Sequence, residues 1–339
     1  IRNHHIRWGI IGLIFFAIVF VLCFATWVMA KVTYYTFWKD NTLGYQSAKL
    51  PEESDFNKTI SSYFLGKPAE RLPLSAGAYL VSDLNSKEII VKRNENQIFP
   101  IASVTKLVTA IVGQEFINSD QQITITRQAW ETYGNTGQLR VGEKMPFKTM
   151  LYPLLLTSSN DVAEAVALSV GREKFLARMN EFARQIGMNH THFSDPSGLS
   201  PDNISTPTDL SLLAGYLYEH EQDLLAITRE KSYRYGRHNW TNYNNISLMN
   251  YYVGGKNGYT DEANRTLLSL FSVPINYTTS TDKTKSEEKK ERLLAVVLLQ
   301  SNDRKNDTRN LINYLGKYVS YNGDKNGFIP MLPPEVESL

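Results

Sequence analysis

Trp8 to Ala30 runs for 23 residues without a charged side chain and is bounded by Arg7 and Lys31. About twenty consecutive apolar residues cross the hydrocarbon core of a bilayer as a helix, and a helix apolar on every face has no stable place on the surface of a water-soluble domain. A cleavable signal peptide is the competing reading, and Val28-Met29-Ala30 offers a small residue for cleavage. Its apolar region, however, is only about 7–15 residues long. The run therefore reads as a single N-terminal transmembrane helix over residues 8–30, with the lipid bilayer as partner and residues 1–7 as a cytoplasmic N-terminus. Arg2 and Arg7 on one side against Lys31 and Lys39 on the other give little orientation by charge. Tyr34, Tyr35, Phe37 and Trp38 follow the span, as interfacial aromatic residues do.

The remaining chain is long enough for a sizeable core. Thirty-six Lys and Arg against thirty-four Asp and Glu leave a net charge of +2, without the basic excess of a nucleic-acid-binding protein. Cys23, the single cysteine, lies inside the apolar run, so a disulfide framework and a cysteine-ligated metal are excluded. None of the six histidines has H-E-x-x-H spacing. His190-Thr191-His192 lacks an acidic partner at ligand spacing and reads as packing.

Residues 31–70, with Pro51 and Pro68, show no clear period and read as a stalk. A domain over 71–320 follows, then a Pro- and Gly-rich tail over 321–339 to which no element is assigned. Ala78–Ser82 and Glu88–Lys92, separated by Asp83-Leu84-Asn85-Ser86, form a hairpin pattern. Helical patterns cover 103–116, 147–156 and 161–170. Phe175, Met179, Phe182 and Ile186 keep helical spacing up to Gly187, and 208–218 continues the helical run. Strands return at 250–253, 266–273 and 293–300, and residues 276–291 read as a solvated, mixed-charge loop. Leu311, Ile312, Leu315 and Val319 mark a last helix. The order of strands, helices and strands predicts an α/β (α+β) domain whose early hairpin and late strands share one antiparallel sheet beside a helical lobe.

Three short motifs could carry chemistry. Ser103-Val104-Thr105-Lys106 is an S-x-x-K tetrad at the start of an apolar helix, where positions i and i+3 share a face and a lysine can activate a serine hydroxyl. Two other S-x-x-K sets, at 280–283 and 286–289, fall in the charged loop, where the amine stays solvated. Ser158-Ser159-Asn160 is an S-x-N triplet, which alone is also what a helix cap shows. Lys256-Asn257-Gly258 follows an apolar strand and Gly254-Gly255. There Lys256 offers a fixed cation for a substrate carboxylate, and Gly258 lets a substrate lie against the strand.

The three motifs in this order are more specific than any one of them. With Pro100 to Leu107 (PIASVTKL), Leu154 to Asp161 (LLLTSSND), Phe193 to Leu199 (FSDPSGL) and Gly255 to Thr260 (GKNGYT), the chain resembles the D-alanyl-D-alanine carboxypeptidase family, the low-molecular-weight penicillin-binding proteins. The resemblance covers roughly Arg71 to Gly316. It implies a β-lactamase- or transpeptidase-like fold, with an antiparallel five-stranded sheet flanked by helices. It implies an acyl-enzyme on Ser103, formed from the carbonyl between two D-alanines of a peptidoglycan stem peptide. Lys106 takes the proton in this scheme and Ser158 helps relay it. Asn160, Lys256, Asn257, Gly258 and Tyr259 hold the substrate, and the backbone N–H groups of Ser103 and Tyr259 form the oxyanion hole. The resemblance implies no metal and no organic cofactor, β-lactam antibiotics as acylating inhibitors, and a catalytic domain outside the bacterial cytoplasmic membrane.

Asn257 departs from the family pattern, which carries Thr at this position. The departure opens two alternatives, a DD-endopeptidase or a catalytically weak wall-binding scaffold; a β-lactamase of the same fold is a third alternative in the same chemistry. No E-x-x-L-N run stands between Asn160 and Lys256, and the β-lactamase alternative loses weight accordingly.

Overall fold

The computed structural model describes Met29 and residues 62–65, 72–277 and 288–322. Among the described residues no helix is long and apolar enough to cross a membrane. The apolar run 8–30 lies outside them apart from Met29, as does most of the stalk and nearly all of the tail.

Thirteen strands are described: β1 (Tyr63–Leu65), β2 (Ala78–Asp83), β3 (Ile89–Arg93), β4 (Phe99–Pro100), β5 (Gln122–Thr124), β6 (Lys144–Pro146), β7 (Ile204–Ser205), β8 (Ser232–Tyr235), β9 (His238–Thr241), β10 (Tyr252–Thr260), β11 (Asn264–Tyr277), β12 (Glu288–Ser301) and β13 (Val319–Tyr321). The α-helices are α1 (Thr105–Phe116), α2 (Arg127–Trp130), α3 (Phe147–Leu155), α4 (Asn160–Val170), α5 (Arg172–Gln185), α6 (Pro207–His220), α7 (Gln222–Arg229) and α8 (Arg304–Tyr318).

The expected five-stranded antiparallel sheet is present as β10-β11-β12-β2-β3. The observed sheet is larger, with seven strands. Beyond the part of β11 that pairs with β10, Asn276 and Tyr277 pair with Ser320 and Tyr321 of β13 in parallel, and β13 pairs with β1. Tyr63–Leu65, expected in the stalk, and Tyr321, expected in the tail, are thus part of the sheet, as is Val319, expected on the last helix, which ends at Tyr318. Such three-residue strands carry no period of their own, and buried polar contacts hold them. Tyr63 Oη donates to the fully buried Asp83 carboxylate. Arg292 Nε donates to Asp83 Oδ2 at 2.7 Å, and its guanidinium lies 4.1 Å from the Tyr321 ring centroid.

The charged stretch before Leu293 is a further correction. Asn276, Tyr277 and Glu288 to Glu291, read as loop, are strand, and Glu288 to Glu291 pair with Pro274 to Tyr277. Lys290 covers the Tyr277 ring at 3.5 Å and Ser272 Oγ donates to Glu291 at 2.8 Å, so these polar side chains lie on a strand surface.

The central strand β12 is buried on both faces, and Leu293–Leu299 is accordingly a continuous apolar run. Ala295, Val297 and Leu299 pack with Leu80, Leu268 and the helical lobe, whereas Leu294, Val296 and Leu298 pack with Leu311 and Leu315 of α8. Neighbouring residues of one strand therefore belong to two cores. The hairpins β5–β6 and β8–β9 and the helices α2 and α7 add to the helical lobe elements that the sequence reading did not assign.

Candidate active site

Ser103 lies in a 3₁₀ turn, Ala102–Val104, that leads directly into α1. The turn is held from two directions. Ile101 N donates to Asn203 O at 2.9 Å, and Thr266 Oγ1 of β11 donates to Ile101 O at 3.0 Å. Ala102 has φ +47, a left-handed conformation that a residue with a Cβ seldom adopts without tertiary support.

Lys106 is one helical turn further on, fully buried. Its Nζ is 2.9 Å from Ser103 Oγ, 2.6 Å from Asn160 Oδ1 and 2.5 Å from the Ser197 carbonyl oxygen. Burial pushes its pKa down from 10.5 to about 7, against the opposing fields of Asp195 and Asp161. Asn160, the first residue of α4, donates through Nδ2 to the Tyr133 carbonyl at 2.7 Å. That contact fixes its amide with Oδ1 toward the lysine.

The FSDPSGL stretch folds around one carboxylate. Asp195 accepts from the backbone N–H groups of Ser197, Gly198 and Ser200, each at 2.7 Å, and from Ser197 Oγ and Asn203 Nδ2. These bonds hold its pKa below the usual carboxylate value despite burial. The loop presents the Ser197 carbonyl to Lys106 and the Pro196 carbonyl to Thr109 Oγ1. Gly198 closes it against the serine turn: at φ +82, a Cβ there would meet Ala102 O at 2.0 Å.

The third motif arrives on β10, which pairs with β11 on one side. A Cβ on Gly258 would fall 2.7 Å from Ser103 N, so the backbone of β10 passes beside the serine turn. Lys256 is buried, and its Nζ donates to Asn257 O at 2.8 Å and to Asn257 Oδ1 at 3.3 Å. Burial, then the charges of Lys106 and Arg304, push its pKa well below the usual lysine range. Asn257 thus spends its side-chain oxygen on Lys256. Tyr259 is exposed, and its hydroxyl donates to Asp261.

Ser103, Lys106, Asn160, Lys256 and Gly258 are therefore drawn into one group. Ser158 is half-buried at φ +61 in the turn between α3 and α4. Among the described residues its hydroxyl makes no hydrogen bond to Ser103, Lys106 or Lys256. Asn160, expected to hold a substrate amide, has both ends of its own amide engaged within the protein.

Several participants carry no expectation from the sequence. The Asp195 carboxylate has a local signal, since Asp-Pro-Ser-Gly is turn chemistry. Tyr133 and Arg304 have none. Arg304 of α8 donates through Nη1 to Gly258 O at 2.9 Å and to Thr266 O at 3.2 Å, and burial lowers its pKa to about 10.

Comparison with known proteins gives a consistent result. A family described as D-alanyl-D-alanine carboxypeptidase matches residues 66–272. The chain is 30% identical over 218 residues to the D-alanyl-D-alanine endopeptidase of Pseudomonas aeruginosa, covering 60% of this chain and 70% of that protein. It is 26% identical over 218 residues to the D-alanyl-D-alanine carboxypeptidase DacF of Bacillus subtilis, covering 58% of this chain and 54%, about half, of that relative's length. The fold is similar to that of penicillin-binding protein D2 of Listeria monocytogenes in its cefotaxime-bound form, with a TM-score of 0.62 and 23% identity over 72% of this chain and 98% of that one.

Proposed function

Because this chain belongs to the D-alanyl-D-alanine carboxypeptidase family of serine hydrolases, we propose that it removes the terminal D-alanine from peptidoglycan stem peptides through an acyl-enzyme on Ser103. One observation carries the reading: a fully buried lysine amine 2.9 Å from the serine hydroxyl, with a pKa lowered to about 7.

The hydrogen bonds of Lys106 support a direction for the proton. Asn160 Oδ1 and the Ser197 carbonyl can only accept. A neutral Lys106 has two N–H bonds and one lone pair. It donates to those two acceptors, and the lone pair is left for the Ser103 hydroxyl. Ser103 Oγ then attacks the carbonyl between the two D-alanines as its proton passes to Lys106 Nζ. The C–N bond breaks, and the leaving amine takes the proton by way of the Ser158 hydroxyl. Water attacks the ester, the shortened peptide leaves, and Ser103 regains its proton. The N–H groups of Ser103 and Tyr259 receive the oxyanion, an assignment supported by the passage of β10 beside Ser103 N. Lys256 and Asn257 Nδ2 attract the substrate's terminal carboxylate. Asn160 serves the reaction by holding Lys106, a role beside the substrate contact expected of it.

The reading includes an anchor in the bilayer through residues 8–30, supported by the uncharged 23-residue run, and a catalytic domain on the extracytoplasmic side, which follows from the peptidoglycan substrate proposed for it. A second reading, cleavage of a cross-link as an endopeptidase, is favoured by the 30% identity to a protein of that name and by Asn257.

Intact-mass measurement after exposure to penicillin tests the chemistry. The expected result is a long-lived adduct that is absent in Ser103→Ala. Rapid loss of the adduct would indicate a β-lactamase, and a folded protein that forms none would indicate a wall-binding scaffold. Digestion of purified cross-linked and uncross-linked muropeptides separates endopeptidase from carboxypeptidase by product mass.

A further inference from the structure

A cavity of about 460 Å³ is lined by Asp195 and Ser197, from the loop that meets Lys106. Gln128, Thr132, Glu164 and Arg172 also line it. Glu164 stands one turn along α4 from Asn160, on the same face of the helix. Its side chain is 9% exposed, and it accepts Arg172 Nε at 2.6 Å. The guanidinium of Arg172 has four further N–H donors. Among the described residues neither of its Nη atoms meets an acceptor, and its side chain is 37% exposed. Asp195, the other carboxylate of the wall, already accepts from several N–H groups of its own loop. The negative charges of the cavity are thus both engaged, and the unused capacity is an arginine fork held from behind by a buried carboxylate.

We propose that this cavity is a subsite for a carboxylate carried on the acyl side of the substrate, with Arg172 as its bidentate receptor and Glu164 as a positioning residue. The inference rests on the acyl-enzyme reading above and deepens it by naming the substrate class. Planar pairing of guanidinium with carboxylate suits a fork fixed at one edge. An ammonium ligand is disfavoured, because Glu164 and Asp195 are already occupied. Ser197, whose carbonyl accepts from Lys106, is one of the residues that line the cavity. A group seated there is therefore within the reach of one substrate whose carbonyl lies at Ser103.

The test uses the full chain and two stem-type peptides ending in D-Ala-D-Ala, one with a side-chain carboxylate on the acyl side and one with its primary amide. Wild type is expected to favour the carboxylate peptide about tenfold in kcat/KM, as a charge-assisted pair does. Glu164→Gln with Arg172→Gln, which leaves no lone buried charge, brings the ratio near one. Arg172→Lys, which keeps the charge and loses the fork, lowers it. Wild-type indifference between the peptides, or a full-sized preference that survives in either variant, overturns the proposal. Penicillin labelling of wild-type Ser103 is measured in parallel. Without an adduct the acyl-enzyme reading falls and takes this inference with it; with an adduct and no carboxylate preference, only the subsite falls.

Discussion

Asn160 Oδ1 lies 2.6 Å from Lys106 Nζ across 54 residues of sequence. The amide is held in that orientation by the Tyr133 carbonyl. A neutral acceptor at this place binds the lysine without the charge that would keep it protonated, and Asn differs from Asp here in function while matching it in shape.

Asn160→Asp is expected to raise the Lys106 pKa by about 1–3 units, as an adjacent opposite charge does. The rise of penicillin acylation rate with pH then moves to higher pH, and the rate at pH 7 falls by roughly tenfold or more. A pH profile that stays where wild type has it would refute the role assigned to this amide.

The wild-type acylation rate is expected to climb with pH through about 7, where Lys106 loses its proton. The same shift appears in stability. Between about 7 and 10.5 the unfolded lysine holds a proton that the folded one has released, so stability from this group rises with pH in that window and is flat below it. Urea midpoints at pH 7 and pH 9.5 measure it, and Lys106→Met should remove this part of the difference. An equal difference in the variant would show that Lys106 does not titrate as described.

Asp195→Asn removes a carboxylate that accepts from four backbone N–H groups. We expect a loss of about 2–3 kcal/mol at neutral pH, on the scale of buried hydrogen bonds to a charged group, together with weaker acylation because the Ser197 carbonyl is no longer held. The native Asp195 pKa is depressed, so its stabilisation is present above the unfolded value of 3.8 and is lost as pH falls through the folded value. The variant should therefore lose less stability on acidification than wild type. A steeper acid loss in the variant would contradict the assignment.

Asn257→Thr takes away the side-chain oxygen 3.3 Å from Lys256 Nζ and restores the hydroxyl of the family pattern. The expected outcome is faster release of terminal D-alanine relative to cross-link cleavage, severalfold in the product ratio by mass spectrometry. An unchanged ratio would mean that this position does not select between the two reactions.

Tyr63→Phe leaves the buried Asp83 with Arg292 but without the phenol. A loss of about 1–3 kcal/mol is expected from the lost buried bond, read as a lower Tm, with penicillin acylation unaffected because β1 pairs at the far part of the sheet from β10. A matching loss of acylation in folded protein would tie this end of the sheet to the serine.

The sequence by itself determined the main periodic elements and the spacing that puts Lys106 one turn after Ser103, while the five-stranded part of the sheet was implied by the family resemblance. The first two are local facts: apolar periods of 2 and 3.6 residues and motifs a few residues long. It also contained the Asp-Pro-Ser-Gly turn, but nothing local says that a carbonyl from that turn will face a lysine 91 residues away. Tertiary structure alone decided that Asn160 serves Lys106, that Gly198 and Gly258 close on the serine turn, and that Arg304 reaches β10 from the last helix. It also decided that Tyr63–Leu65 and Val319–Tyr321 complete the sheet. The physical reason is the same in each case. A buried polar atom must find a partner wherever the fold brings one, and that partner's identity is set by packing between distant segments rather than by the residues beside it in the chain.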